Sequence, residues 1–437
     1  MKVLVISHNV FSYSENMGKT LANMFSGFQE DEIFQLYFHS EIPTVEEICS
    51  SYYRITDRDA LKSIVNRKHH GIRFSNYQVR KNVSSSRIDT GIIAKVYQKG
   101  RKRTPVIYLA RDLLWSLSNW FNKDLKSWLS ENKPEVIFYA AGDYSFSYKI
   151  VNKISEYLQI PIIVYCVDDY YLFNTNEKRF LGKFRQKLFM KNVKKTIEHS
   201  EFLITICDKM ADDYRKLFNK ECHVLYTTAE DRTIDYYEER KRFAYFGSLG
   251  VNRDFQLIDI GKAVANTAMI TGICTVDVFT SEKRPEVLER MKNVPGISIH
   301  SAVSQAEMNE ILRSCVGVIH TESYDEIFRK RVRYSVSTKI AESLMYGPCL
   351  FAYGPKEVAS IEYLRRNKVA YVVTEPEKLK KGIIEFLTDK KLRQTIEKSA
   401  RKLAKNNHSS ETNVTLLYGW LKNTVKEPRR EEKYDTK

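Results

Sequence analysis

Two α/β lobes, each a parallel β-sheet covered by helices on both faces, are what this sequence predicts, and three observations carry that expectation. The chain has 437 residues, too many for one ordinary hydrophobic core, so two domains are the natural division. Short apolar runs alternate with stretches of helical period along most of its length, the pattern of strand, helix, strand. Near the middle the alternation breaks into a polar segment that reads as the linker, TTAEDRTIDYYEERK at 227–241, and then restarts.

Taken in order, the first half offers VLVIS, EVIFYAA, IPIIVYCV and FLITIC as strands. Each is apolar throughout rather than alternating, which suits strands buried on both faces. YSFSYKIVNKISEYL has helical spacing between two of them. The stretch 106–130 holds Trp115, Trp120 and Trp128, and its residues Leu109, Leu113, Leu117, Trp120 and Phe121 recur at helical intervals; it reads as a core helix of the first lobe. Beyond the polar segment FAYFGS, TVDVFT, ISIHSA, VGVIHT, CLFAY and AYVVT are the strands of a second lobe. SQAEMNEIL opens with a capping box, Ser304 and Glu307, so a helix starts there. The expected organisation is a first domain at 1–230, a second at 243–405, a helix at 409–425 packing back on the first domain, and a charged, disordered tail at 426–437. Ligands of open α/β sheets bind off the carboxyl ends of the strands, so two such lobes are expected to share a cleft.

Hydrophobic residues make up 43% of the chain and charged residues 28%, values of a soluble protein. No apolar run approaches the ~18 residues of a membrane span, and the run after Met1 is too short for a signal-peptide core. A cytosolic protein is therefore expected. The seven cysteines include no C-x-x-C pair, and Cys166, Cys207, Cys274, Cys315 and Cys349 sit in or beside apolar runs, as buried free thiols do. The nine histidines show no ligand spacing, so neither a metal nor a cofactor is expected.

The formal charge of +16 is unevenly spread. Residues 54–103 carry fourteen Lys and Arg against Asp57, Asp59 and Asp89, and KRFLGKFRQKLFMKNVKK at 178–195 carries eight and no acid. Such surfaces are either solvated basic faces or sites for phosphates of lipid, nucleic acid or substrate. In the second run Phe180, Leu181, Phe184 and Leu188 form one apolar stripe among basic positions, the profile of a helix lying in a membrane interface. The basic runs lack stacking aromatics arranged for base recognition, so nucleic acid is not an expected partner.

SYSENMGKTL, 12–21, ends like a phosphate-binding P-loop, but Tyr13 stands where that loop requires glycine. What remains is a polar loop with Gly18 and a helix starting near Lys19. In SVSTKIAESLMYGPCLFAYGP, 335–355, Ser337 and Thr338 suit a helix N-cap, and Gly347-Pro348 ends that helix before a strand. The helix N-terminus with Lys339 in its first turn forms an anion pocket. Glu342 reads either as an acceptor for paired ribose hydroxyls or as a surface partner of Lys339.

KIAESLMYGPCLFAYGP resembles the nucleotide-binding helix and following strand of GT-B glycosyltransferases, family 4 (group 1), of bacterial surface-polysaccharide assembly. YFGSLGVNRDFQLIDIGKAV, 245–264, is similar to the opening of their C-terminal domain. The resemblance implies the GT-B fold: two Rossmann-like doubly wound domains facing a cleft. It implies a transferase that moves a sugar from a nucleotide-sugar donor to a glycan on a polyprenyl-diphosphate lipid, with retention of configuration, at the inner face of the membrane. Gly247, Ser248 and Arg253 then occupy the places of the family's Gly-Arg-Leu and lysine, so Arg253 grips the donor diphosphate while Ser248 lacks the expected charge. Ser337, Thr338, Lys339 and Glu342 bind the rest of the donor. The position of the family's first paired glutamate is Tyr334, and Glu322, directly after VGVIHT, is the candidate ligand of the donor sugar. The family's histidine appears as Asp168, beside Asp169, which reads as a polar strand end or as the pair that orients the acceptor hydroxyl. Gly18 implies a loop that approaches the diphosphate and acceptor; Lys19 reads equally as part of that loop or as a surface helix turn. A nucleotide-sugar epimerase on the same fold and a non-catalytic basic scaffold binding nucleic acid or membrane are the rival functions.

Overall fold

The computed structural model describes residues 1–13, 16–75, 104–171 and 180–426. The chain divides into two compact units. The first comprises Met1–Thr205, Met210–Val224 and the chain from Val414 onward; the second comprises Ile206–Lys209 and Leu225–Asn413. The polar segment 227–241 thus belongs to the second unit rather than linking the two. There Tyr236 Oη donates to the Tyr346 carbonyl at 2.5 Å and Tyr237 N to the Arg313 carbonyl at 3.0 Å.

The strands are β1 Val3–Ser7, β2 Ile33–Tyr37, β3 Ser51–Arg54, β4 Ile72–Ser75, β5 Val136–Ala141, β6 Ile162–Cys166, β7 Phe202–Thr205 and β8 Cys222–Val224 in the first unit. The second unit has β9 Arg242–Phe246, β10 Val276–Thr280, β11 Ile297–Ser301, β12 Cys315–Thr321, β13 Leu350–Tyr353 and β14 Tyr371–Val373. The helices are α1 Asn16–Phe25, α2 Asp57–Val65, α3 Pro105–Leu117, α4 Lys123–Asn132, α5 Ser145–Leu158, α6 Phe180–His199, α7 Asp208–Phe218, α8 Arg253–Thr271 and α9 Pro285–Lys292. They continue with α10 Gln305–Arg313, α11 Glu326–Arg331, α12 Thr338–Met345, α13 Ala359–Asn367, α14 Leu379–Thr388, α15 Lys390–Asn407 and α16 Ser410–Lys426.

The first sheet runs β4-β3-β2-β1-β5-β6-β7-β8 and the second β11-β10-β9-β12-β13-β14. Among the described residues, every pairing is parallel except β3 with β4. All residues of β1, β5, β6, β12 and β13 are buried. Helices cover both faces of these strands, so nothing selects for an alternating pattern. Strand order reverses between β1 and β5 in one sheet and between β9 and β12 in the other. A crevice opens at the carboxyl ends of the strands at such a point.

Helix starts follow the residue chemistry. Ser304 and Glu307 close the capping box of α10 as the sequence predicts, and α3 begins with Pro105 behind an N-cap Thr104. The C-terminal helix α16 packs with the first unit: Leu417 and Leu421 are fully buried, Tyr418 meets Phe28 at 5.2 Å, and Trp420 stacks on His223 at 4.4 Å.

Three expectations need correction. The 106–130 stretch is two helices, α3 and α4, and its predicted stripe is not the buried one. Trp115 and Trp128 fill the core, whereas Leu113 and Leu117 are 60% and 56% exposed; a stripe read from spacing alone does not say which face finds a partner. Cys274 is exposed, while the other six cysteines are buried free thiols, because the run beside Cys274 begins only after it, at Val276. Helix α1 begins at Asn16, so Lys19 lies inside it rather than at its start. The predicted tail beyond 426 and the part of the 54–103 basic run from 76 onward lie outside the described residues. Among the described residues, no helix is long and apolar enough to cross a membrane.

Candidate functional site: a pocket at the strand reversal of the second unit

A pocket of ≈ 190 Å³ opens in the second unit, where β9 and β12 part. β9 ends in Tyr245 and Phe246 and runs into Gly247 and Ser248; β12 delivers His320 and Thr321; α8 starts with Arg253; and α12 contributes Ser337, Lys339 and Glu342. Of the predicted donor residues, Gly247, Ser248, Arg253, Ser337, Lys339 and Glu342 line this one cavity, and Thr338 and Glu322 do not. Thr338 is the first helical residue, and Ser337 is the cap, its hydroxyl accepting from Lys339 N at 3.4 Å.

Arg253 is held from behind. Its guanidinium meets both oxygens of Glu322 at 3.0 Å, and its Nε donates to the Thr321 carbonyl at 3.2 Å. The Glu322 side chain is 1% exposed and that of Arg253 21%. Burial works to lower the arginine pKa, and Glu322 overcomes it and raises it. Burial likewise pushes the Glu322 pKa up, with Arg253 pulling it back. Glu322 therefore does not stand free at a sugar, as the sequence suggests; both its oxygens are engaged by Arg253. Position after a strand is legible in sequence, but the direction of a side chain is not.

Behind this pair lies His320, which sequence reading missed. Its Nε2 is 3.0 Å from Ser360 Oγ and 3.6 Å from Glu322 Oε1. Burial, reinforced by Arg253, lowers its pKa to about 3, so the imidazole is neutral at pH 7.

Lys339 does not pair with Glu342, the alternative open from sequence. Its ammonium donates to the Phe246 carbonyl at 2.8 Å, and burial of that head lowers its pKa, with Glu342 working against the shift. Gly247 makes this approach possible: a Cβ there would lie 3.0 Å from both Lys339 Nζ and Tyr245 Oη. Tyr245 Oη donates to the Ser248 carbonyl at 2.7 Å, and Ser248 Oγ accepts from Gly250 N at 3.0 Å, which fixes the turn into α8. Glu342 lines the pocket one turn further in. Two cations, a capped helix N-terminus and a carboxylate thus converge on one cavity, an arrangement suited to a diphosphate with a neighbouring diol. Tyr334, where the family glutamate is missing, is 3% exposed and carries the Arg333 guanidinium over its ring at 4.3 Å.

The acceptor candidates lie in the first unit. Asp168 and Asp169 follow β6 in a turn, where Tyr170 N donates to the Asp168 carbonyl at 3.0 Å and Tyr214 Oη donates to Asp169 at 3.3 Å. A Cβ on Gly18 would fall 2.3 Å from the Val10 carbonyl oxygen and 2.9 Å from Ser12 Cβ, so this glycine lets α1 close against its own preceding loop. Lys19 is exposed on α1.

Residues 267–418 match the family model described as glycosyl transferase-like. HepE from Anabaena, solved in complex with UDP, superposes with a TM-score of 0.59 at 12% identity, over 97% of this chain and 100% of that one. TarM gives 0.59 at 11%, over 98% and 99%, and WaaG, a glycosyltransferase involved in lipopolysaccharide biosynthesis, 0.53 at 13%, over 95% and 100%. The fold is GT-B. The chain carries a glycosyl transferase-like domain on that fold, in agreement with the enzyme class the sequence predicts. No curated protein sequence matches it significantly.

Proposed function

We propose that this protein is a retaining glycosyltransferase that draws its sugar from a nucleotide-sugar held in the pocket of the second unit. The acceptor is a glycan on a polyprenyl-diphosphate lipid, and the work is done at the inner face of the cell membrane during surface-polysaccharide assembly. The observation that carries the donor assignment is the convergence of Arg253, Lys339, the Ser337-capped start of α12 and Glu342 on one cavity. Charge grows on the diphosphate as the sugar departs, and fixed cations with helix N–H groups stabilise it there; neither metal nor cofactor is assigned a part. HepE has been solved with UDP-glucose, which favours a donor of that class.

A membrane surface is supported by α6. Phe180, Leu181 and Phe184 are 81%, 47% and 53% exposed beside exposed Lys183, Lys187 and Lys191, while Phe189, Val193 and Ile197 anchor the helix in the core. The neighbouring α3, bound to it through Arg185 over Tyr108 at 4.0 Å, adds exposed Val106, Leu113 and Leu117. Apolar side chains ringed by lysines suit an anionic bilayer.

Calorimetric titration with nucleotide-sugars tests the donor site. Glu342→Ala removes a charged hydrogen bond worth ~1.5–3 kcal/mol and is expected to weaken donor binding by about one to two orders of magnitude. Wild-type affinity in Glu342→Ala would mean that the donor lies elsewhere.

A further inference from the structure

Three rings stand in a column that ends at the pocket. Phe246 closes β9, Phe279 lies on β10 and His300 on β11, and the strand register pairs Phe279 with both of the others. Register partners on parallel strands place their side chains on the same face at about the 4.8 Å strand spacing. The Phe246 and Phe279 centroids are 4.9 Å apart with planes at 10°, and those of Phe279 and His300 4.7 Å apart at 19°. The outer ring is fixed in turn, because His300 Nε2 lies 3.0 Å from Asp277 Oδ1 and 3.0 Å from Ser298 Oγ.

The inner end of the column differs from the outer. Phe279 covers one face of Phe246 and is itself buried. Phe246 is only partly buried and lines the pocket, in company with Met308 and Leu312. Its own carbonyl receives the Lys339 ammonium, so the ring projects from the residue that also holds one of the pocket's two cations. An aromatic ring and a cation lining one cavity suit a ligand that carries both a heterocycle and phosphates. We propose that Phe246, braced by Phe279 and His300, is the stacking wall for the nucleobase of the donor. The proposal rests on the donor site described above and specifies what holds the base in it. Stacking is indifferent to base identity, since every base has a π-face, so affinity from this wall is shared by purine and pyrimidine nucleotides.

The test compares wild type, Phe246→Leu and Phe246→Tyr in titrations with UDP, GDP and inorganic pyrophosphate, with thermal melts confirming the fold of each variant. Loss of a base–aromatic stack corresponds to an affinity fall of about tenfold, within the ~1–3 kcal/mol measured for such contacts. Phe246→Leu is expected to show that fall for UDP and GDP alike and none for pyrophosphate, and Phe246→Tyr to retain wild-type affinity for all three. Bound nucleotide should also show ultraviolet hypochromism in wild type and Phe246→Tyr and lose it in Phe246→Leu, a signal that altered packing alone does not move. Unchanged UDP and GDP binding in Phe246→Leu overturns the stacking wall. An equal fall for pyrophosphate overturns it as well, because the change then acts through Lys339. Failure of the wild type to bind any nucleotide refutes the donor site itself, which is a distinct outcome.

Discussion

Removing Glu322 separates two roles for this residue, brace of Arg253 or ligand of the donor sugar. Its side chain is 1% exposed and meets the guanidinium through both oxygens. Glu322→Ala therefore leaves a cation with no counter-charge in a site that excludes most water. Breaking a buried pair from one side costs ~3–5 kcal/mol, and the 21% exposure of Arg253 gives the freed guanidinium a path to solvent, which argues for the lower end, about 3 kcal/mol. For a domain of this size that corresponds to a fall in melting temperature of roughly 6–12 °C. Replacing both partners, Arg253→Met with Glu322→Leu, removes the uncompensated charge and should recover most of that loss. A double-mutant cycle by thermal or urea unfolding measures the coupling. Calorimetry supplies the second arm: acting through Arg253, Glu322→Ala shifts affinity for nucleoside diphosphate and for nucleotide-sugar by the same factor. A Glu322→Ala protein that melts with wild type and loses affinity only for the sugar-bearing ligand would refute the brace.

Three further outcomes follow from the same geometry. His320 has a folded pKa of about 3, below the unfolded value, so the unfolded chain binds the extra proton and stability falls as pH drops through 6.5 toward 3. Each pH unit in that window costs up to ~1.4 kcal/mol, and unfolding curves of His320→Gln between pH 7 and 5 should show a shallower loss than wild type; parallel curves would refute the assignment. Gly247→Ala should lower the melting temperature, because a φ of +158° strains a residue that carries a Cβ, and the hydroxyl of the buried Tyr245 lies 3.0 Å from that Cβ as the Lys339 head does. It should weaken nucleoside diphosphate binding about tenfold by displacing that cation, and unaltered affinity in calorimetry would count against Lys339 as a phosphate ligand. Replacing Lys187, Lys191, Lys194 and Lys195 with Gln should release the protein from anionic vesicles in a sedimentation assay, at ~1 kcal/mol or less per lysine, without lowering its melting temperature; equal retention on those vesicles would remove the membrane role from α6.

Fully apolar runs such as VLVIS and VGVIHT made the central strands readable, because burial on both faces leaves one composition available to them. All six strands of the second unit were legible, β12 and β13 for that reason and the partly buried β9, β10, β11 and β14 from their alternation with helical stretches. β2, β3, β4 and β8 were not: β3, β4 and β8 have only four, four and three residues, and Gln35 interrupts the apolar run of β2. Ser337 and Lys339 could be named from sequence because a helix start is chemically restrictive, and Glu342 because it follows them within two turns; Gly247 and Arg253 were named only through the family resemblance.

What the sequence by itself determined is therefore the α/β architecture, the second-unit strands and the residues that can reach an anion. Tertiary structure alone decided what those residues do to one another. It turned Glu322 onto Arg253, Lys339 onto the Phe246 carbonyl, and His320 into a neutral imidazole behind the pair. It also left the α3 stripe facing outward. Spacing along a chain fixes which side chains share a face, but pairing, burial and charge depend on partners tens or hundreds of residues away, and only packing brings those together.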